Sequence, residues 1–159
     1  MVENIIRDEL QCIADNLEDL ISNMQINVAN YKKQQTILYW TNIRMSNNIQ
    51  IYKSDIVADM EALNTNIDDL MRYTEKIICF AEDILKEDMK KIQECSEMEV
   101  VDQYVNIIQE KMNVLLLFVT KHSEEQAKYA ENILRVKDKM ERHHVPKKKT
   151  LWKRICERI

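Results

Sequence analysis

Apolar residues recur along this chain in alternating steps of four and three, the spacing that places them on one face of an α-helix. Three long stripes follow this rhythm, one in residues 6–45, one in 56–84 and one in 101–140. They predict an all-α fold of three long amphipathic helices, each about 60 Å long at about 1.5 Å per residue. The helices fold back as coiled-coil hairpins or an elongated bundle, or stay open toward other chains, and the pattern leaves these alternatives open.

Two irregularities interrupt the stripes. The first stripe falters at Asn27, so the first helix either continues to Ser46 or bends before it. The second stripe moves to a neighbouring face after Ile84, where it continues as Leu85, Met89 and Ile92. An offset of this kind locally changes supercoiling or widens the buried face of a helix.

The ends of the helices have their own signals. Ser96 and Glu99 have the spacing of a capping box, which predicts that a helix restarts there. Pro146 ends the third helix, because its ring disfavours the helical conformation in the preceding residue and it lacks an N–H donor. The chain therefore divides into a helical body, residues 1–145, and a C-terminal tail, residues 146–159.

The third stripe contains Met112–Val119, a segment that is apolar on nearly every side for two turns. A helix that is apolar all round needs partners all round. The segment predicts contact with a third helix or another subunit, or it lies at the centre of a self-contained bundle. On the assembly hypothesis, Leu115→Asp is expected to break assembly.

Charge is unevenly distributed along the chain, whose net charge is −4. Residues 146–159 contain six basic residues and one acidic residue, so the tail carries +5 and the body carries −9. An acidic body argues against nucleic-acid binding over the whole surface and leaves only the tail to meet phosphate.

The tail predicts a short basic amphipathic helix. Its apolar face comprises Leu151, Trp152, Ile155 and Ile159, and its basic residues are Lys147, Lys148, Lys149, Lys153, Arg154 and Arg158. Such a helix docks into a hydrophobic groove of an acidic protein partner, lies on an anionic membrane, or clamps an acidic polymer such as a nucleic-acid backbone or an acidic filament surface. The remaining alternative is that it folds back on its own acidic body. We expect docking on protein ahead of membrane contact, because so short a helix without a lipid binds membranes weakly.

Composition narrows the class of protein. The chain has 159 residues, no glycine and one proline, which excludes enzymes built on glycine-rich phosphate loops or strained glycine turns. Four widely spaced cysteines and an N-terminal sequence without an apolar run predict an intracellular, cytoplasmic protein that is not secreted, with the nucleus as the alternative. The longest apolar run, Val114–Val119, is far shorter than the roughly 20 residues of a membrane-spanning helix, so no transmembrane segment is expected.

Candidate chemistry is sparse. His122 and Gln126 interrupt the third stripe one turn apart, and such a polar pair can fix register or partner choice. His122 acts as a pH-sensitive position or is simply a hydrogen-bonded buried histidine. His143, His144 and Cys156 lack the spacing of a zinc site, and the chain lacks the Glu-x-x-His pattern of di-iron bundles. We therefore expect no catalytic residue, metal or cofactor.

These observations favour a non-enzymatic helical interaction or scaffold protein that pairs with its own copies or with other helical proteins, anchored by its basic tail. The stripes resemble in general character those of helical subunits in cytoskeletal, tethering, kinetochore-type and meiotic assemblies, although no motif assigns a residue to a site. Two alternatives stay open. One is a peripheral membrane-binding protein that uses the tail, and the other is a soluble effector that sequesters a partner helix.

Overall fold

The all-α prediction is confirmed. The computed structural model describes residues 2–48 and 53–142, and within these ranges it contains helices and no strand. The elements are α1 (Val2–Asn48), α2 (Lys53–Asp83), a π-helical turn (Ile84–Asp88), α3 (Met89–Glu94) and α4 (Met98–Arg142). The predicted end of the third helix at Pro146 and the predicted basic helix after it lie outside the described residues.

The stripe of the second helix is the most completely buried. All nine of its positions are buried, and they are Ile56, Met60, Leu63, Ile67, Leu70, Thr74, Ile77, Ala81 and Ile84. Each fully buried large apolar side chain contributes about 1.5–3 kcal/mol relative to an exposed one. Burial of this stripe therefore supplies much of the free energy that keeps α2 packed.

The first helix is α-helical without interruption from Val2 to Asn48, so it continues past Asn27. The polar position Thr41 is buried, and its hydroxyl donates a hydrogen bond to the carbonyl of Ile37 at 2.7 Å. A hydroxyl that bonds within its own helix can be buried without a partner on another helix. This bond explains how the apolar stripe tolerates a threonine.

The shift of the second stripe after Ile84 has a structural cause. Residues Ile84–Asp88 form a π-helical turn, in which the N–H of Met89 donates to the carbonyl of Ile84. A π-turn closes its hydrogen bond over five residues instead of four, so it adds one residue to the helix. The added residue moves the buried face by one position, and Asp88, Met89 and Ile92 are all buried.

The fourth helix restarts close to the predicted capping box. Cys95 leaves the helical conformation, and the carbonyl of Glu97 accepts the first backbone hydrogen bond of α4, from Val101 at 3.1 Å. The helix therefore begins one residue later than a cap at Ser96 implies.

The described residues form two compact units. The first unit contains residues 2–28 and 72–121. Within it, α2 and α4 run antiparallel, since Phe118 stacks on Phe80 while Lys111 pairs with the later residue Asp88. Its core comprises Leu17, Met24, Ile77, Ala81, Ile84, Met89, Ile92, Ile108 and Leu115.

The second unit contains residues 29–48, 53–71 and 122–142. Its core comprises Tyr31, Leu38, Ile56, Met60, Leu63, Ile67, Leu70, Tyr129 and Val136. Within it, α2 and α4 are again antiparallel, because Asp59 pairs with Lys139 whereas the later residue Asn66 bonds to the earlier residue Glu125. Each unit thus packs three helical segments around an apolar core.

Candidate functional site

A groove lies between α1 and α4 in the first unit, with a volume of about 380 Å³. Clefts that bind ligands typically have volumes of roughly 300–1,000 Å³. The apolar lining is Ile6, Leu10 and Ile13 from α1 and Val105, Ile108 and Met112 from α4. The polar lining is Glu9, Asp102, Gln109 and Asn113. The groove therefore has the apolar interior and polar edge of a site for an amphipathic helix.

The groove exists because the first turns of α1 are incompletely covered. Ile6, Leu10 and Ile13 are half-buried, whereas Leu17, one turn later, is 2% exposed. On another side of α1, a second cavity of about 270 Å³ is lined by residues that include Leu10 and Met89. The start of α1 therefore leaves apolar surface that the helices of its own unit do not cover.

Exposed apolar side chains continue both walls of the groove. Leu116 is 63% exposed and follows the wall residue Asn113 by three positions on α4. Ile5 is 59% exposed and precedes Glu9 by four positions on α1. Residues three or four apart are neighbours on a helix surface, so these side chains extend the groove lining by about one turn.

The segment Met112–Val119 is only partly covered by the helices of the first unit. Leu115 is buried in the core of the first unit, 3% exposed, and Phe118 packs against Tyr73 and Phe80. Leu117 remains 54% exposed. Apolar side chains grouped at a surface mark an interaction site more often than singly scattered ones do.

The two predicted specificity residues meet at one tyrosine in the second unit. The hydroxyl of Tyr31 lies 3.0 Å from Nε2 of His122, and the amide of Gln126 donates to the same hydroxyl at 3.2 Å. His122 is 3% exposed, whereas Gln126 lies on the exposed side of the stripe. These contacts join α1 to α4 through groups that an apolar side chain could not replace.

The protonation states at this contact follow from burial. Burial lowers the pKa of His122 and raises the pKa of Tyr31, so both groups are neutral near pH 7. Because Gln126 donates to the Tyr31 oxygen, the Tyr31 hydroxyl can donate its own proton to Nε2 of a neutral His122. The contact is then a chain of neutral hydrogen bonds.

A second tyrosine extends the polar contacts between α1 and α4. Tyr129 donates to the side-chain oxygen of Gln34 at 2.5 Å, and burial raises the pKa of Tyr129 to about 12. On the α2 side, the amide of Asn66 donates to Glu125 at 2.9 Å, and Asn132 donates to the side-chain oxygen of Asn66. The second unit therefore contains cross-helix hydrogen bonds that the apolar pattern does not predict, because a tyrosine in an apolar stripe is also compatible with a purely apolar contact.

Ionic contacts in the first unit lie at the π-turn. Lys111 from α4 contacts Asp83 at 2.6 Å and Asp88 at 2.8 Å, and the side chain of Asp88 is only 6% exposed. The sequence gives no signal for this buried pair, because Asp88 reaches the core only through the extra residue of the π-turn. The arrangement is suited to holding α2 against α4.

The remaining predicted site residues belong to the tail, and Lys147 to Arg158 lie outside the described residues. In the described ranges, no three His, Cys, Asp or Glu side chains group closely enough to hold a metal ion. None of the described helices combines the length and the apolar character needed to cross a bilayer.

Comparison with known proteins gives no further assignment. No protein-family model matches the chain, and neither a curated protein nor a solved structure is significantly similar to it. The α1/α4 groove is therefore interpreted from its own residues.

Proposed function

We propose that this chain is a non-enzymatic helical interaction protein, a subunit of a larger assembly, that receives an amphipathic helix of another chain in the α1/α4 groove. The observation that carries the proposal is the half-open apolar lining of the groove together with the exposed Leu116, which follows the groove residue Asn113 by three positions on α4. Its own copies are the first partner we expect, since an acidic body and a basic tail on one chain attract each other between molecules.

The energetic basis is burial of apolar surface. Fully burying a leucine contributes about 1.5–3 kcal/mol, so a helix that covered Leu116 and the groove lining would gain several such contributions. Part of this gain is offset by the entropy lost on association. The cytoskeletal, tethering or chromosome-associated type of assembly, and the intracellular location, remain predictions from the sequence.

A groove on a single chain also supports a second function, the sequestering of a partner helix by a soluble effector. The two functions use the same surface but differ in the partner. A subunit that pairs with its own copies associates without any other protein, whereas an effector of this kind stays monomeric until the partner is added.

The proposal is tested by replacing one exposed leucine in each unit with aspartate. Leu116→Asp puts a charge at the end of the groove, and we expect it to lower the solution mass that the intact chain reaches at high concentration. Leu134→Asp is the matched control, because Leu134 is 68% exposed on the same helix but belongs to the second unit and does not line the groove. Equal masses for the two variants would contradict the proposal, provided that circular dichroism shows the same helix content.

Leu115→Asp, the substitution suggested by the sequence alone, does not separate assembly from folding. Leu115 is a core residue of the first unit, and an unpaired charge there is expected to unfold the unit. The adjacent Leu116 is the informative position because its replacement leaves the core intact.

A further inference from the structure

We propose that the α1/α4 groove binds the basic segment 147–159 of a second copy of this chain. This inference rests on the proposed function, because it names the partner of the same groove. It is carried by two features that match between groove and segment, their charge and their pattern of apolar residues.

The groove is acidic at its edges. Glu9 from α1 and Asp102 from α4 line it, and both residues are exposed. Around it, residues 1–28 contain six acidic residues and one basic residue. The segment has the opposite balance, with six basic residues and one acidic residue. Complementary charges of this kind speed association and select the correct partner.

The apolar patterns also match. Leu151, Ile155 and Ile159 are spaced four residues apart, and Trp152 lies beside them, so in a helix they form one face. That face fits the half-open apolar lining of the groove, and the basic residues around it then lie near the acidic rim. Tryptophan is a frequent anchor in interfaces because it buries a large surface at a low cost in side-chain entropy.

The segment is assigned to a second copy because it is distant from the groove along the chain. α4 continues for 29 residues after the groove residue Asn113, up to Arg142, and four more residues separate Arg142 from Lys147. Binding between copies joins two different surfaces, and contacts of this type form rings or open chains of molecules.

The first test reverses the charge of the groove rim in the full-length chain. Glu9→Lys with Asp102→Lys is expected to weaken self-association at least about tenfold, measured by light scattering over a concentration series. Glu61→Lys with Glu131→Lys is the control, since both residues are exposed in the second unit and the change in net charge is the same. The control pair is expected to associate like the unmodified chain.

The second test reverses the charge of the segment. Lys153→Glu with Arg154→Glu is expected to weaken self-association to the same extent, and adding these changes to Glu9→Lys with Asp102→Lys is expected to restore it. Restoration by a double reversal cannot result from misfolding of either single variant. Its absence would overturn the pairing of segment and groove.

The third test follows Trp152 directly. The chain has two tryptophans, and Trp40 is 54% exposed, so Trp40→Phe leaves Trp152 as the only tryptophan without replacing a core side chain. On association, the emission of Trp152 is expected to shift to shorter wavelength, and the shift is expected to disappear when Glu9 and Asp102 are replaced by lysine.

Three further results would overturn the inference. One is equal association of the rim variant and its control. Another is a short-wavelength emission of Trp152 that is independent of concentration, which indicates binding within one molecule. The last is a combination of two findings. The chain sediments with phosphatidylserine vesicles only when Lys153 and Arg154 are present, and its self-association is unchanged when Glu9 and Asp102 are replaced by lysine. If Leu116→Asp still lowers the mass in these cases, the proposed function stands with a different helix in the groove.

Discussion

Individual polar residues in the core of the second unit determine which helical faces can meet. Tyr31 on α1 contacts His122 and receives a hydrogen bond from Gln126, both on α4. A shift of either helix by one turn would leave these polar groups without partners, and an unsatisfied buried polar group costs about 1–3 kcal/mol. The contact therefore fixes the register of α1 against α4.

His122 is expected to make stability depend on pH. Burial lowers the pKa of His122 in the folded chain below the ordinary value of 6.5, which applies to the unfolded chain. At a pH between the two pKa values, the unfolded chain therefore binds one proton more than the folded chain. Stability is therefore full above pH 6.5 and falls as the pH drops toward the folded pKa, by at most about 1.4 kcal/mol per pH unit for one proton. Urea unfolding of the chain at pH 7.5 and 5.5 measures this loss.

The matched variant for this experiment is His122→Asn, which keeps a side-chain hydrogen-bonding group but does not titrate. We expect it to lose less stability than the unmodified chain over the same pH interval. An identical loss in both proteins would assign the pH dependence to other groups and contradict the role given to His122.

The ion pair between the partly exposed Lys111 and the buried Asp88 gives a second prediction. Lys111→Met leaves the Asp88 carboxylate without this cation, and we expect a loss of about 1–3 kcal/mol in the free energy of unfolding. Lys86→Met is the control, because Lys86 is 73% exposed and its pair with Glu82 at 3.7 Å is worth less than about 1 kcal/mol. Denaturant unfolding measures both.

Combining Lys111→Met with Asp88→Leu distinguishes the effect of the unpaired charge on stability from the effect of altered side-chain packing. Because both charges are then absent, we expect most of the lost stability to return. A double variant as unstable as Lys111→Met alone would show that the carboxylate is not the cause.

At the scale of elements, the helices could be predicted because one periodic pattern specifies both their existence and their buried face. The stripe of α2 is buried at every position from Ile56 to Ile84. The shift after Ile84 was also visible in the sequence, but its cause was not, since a π-turn and a widened face produce the same pattern. Hydrogen bonding in the folded chain decides between them.

The π-turn predicts that one residue can be removed there without shifting the rest of the helix. Deleting the exposed Glu87 converts the turn to regular α-helix and leaves Ile84 and Met89 on the same face, so we expect a loss of at most about 2 kcal/mol. Deleting the exposed Glu75 instead rotates Ile77 and Ala81 out of the core, and we expect a loss above about 4 kcal/mol.

Thermal unfolding followed by circular dichroism measures both deletions. Equal stability of the two variants would contradict the role of the π-turn as the site of the extra residue.

At the scale of the whole molecule, the groove was not predictable from the sequence. Ile6, Leu10 and Ile13 lie on the same stripe as Leu17, yet only Leu17 is fully covered. The pattern identifies which face of a helix is apolar, but how closely neighbouring helices cover that face depends on tertiary packing. His122 and Gln126 could be identified because they interrupt an apolar stripe. Tyr31 could not, because the pattern does not show whether the hydroxyl of a tyrosine in the stripe forms a hydrogen bond.

The distribution of charge, in contrast, follows directly from the sequence. It gives the residues around the groove and those of the tail opposite charges. The first unit is acidic and the C-terminal segment is basic, and the proposed association between copies uses this difference in charge. Salt screens such attraction, with a Debye length of about 8 Å at physiological ionic strength. Association through these surfaces should therefore weaken as salt is added, whereas association through apolar surface alone should not.

The solution mass of the intact chain, measured by light scattering over a wide concentration range, tests the central claim most directly. The account predicts a mass of 19.0 kDa at low concentration that rises well above this value as concentration increases. A mass that remains at 19.0 kDa at every concentration would contradict association between copies and leave the groove to a different partner.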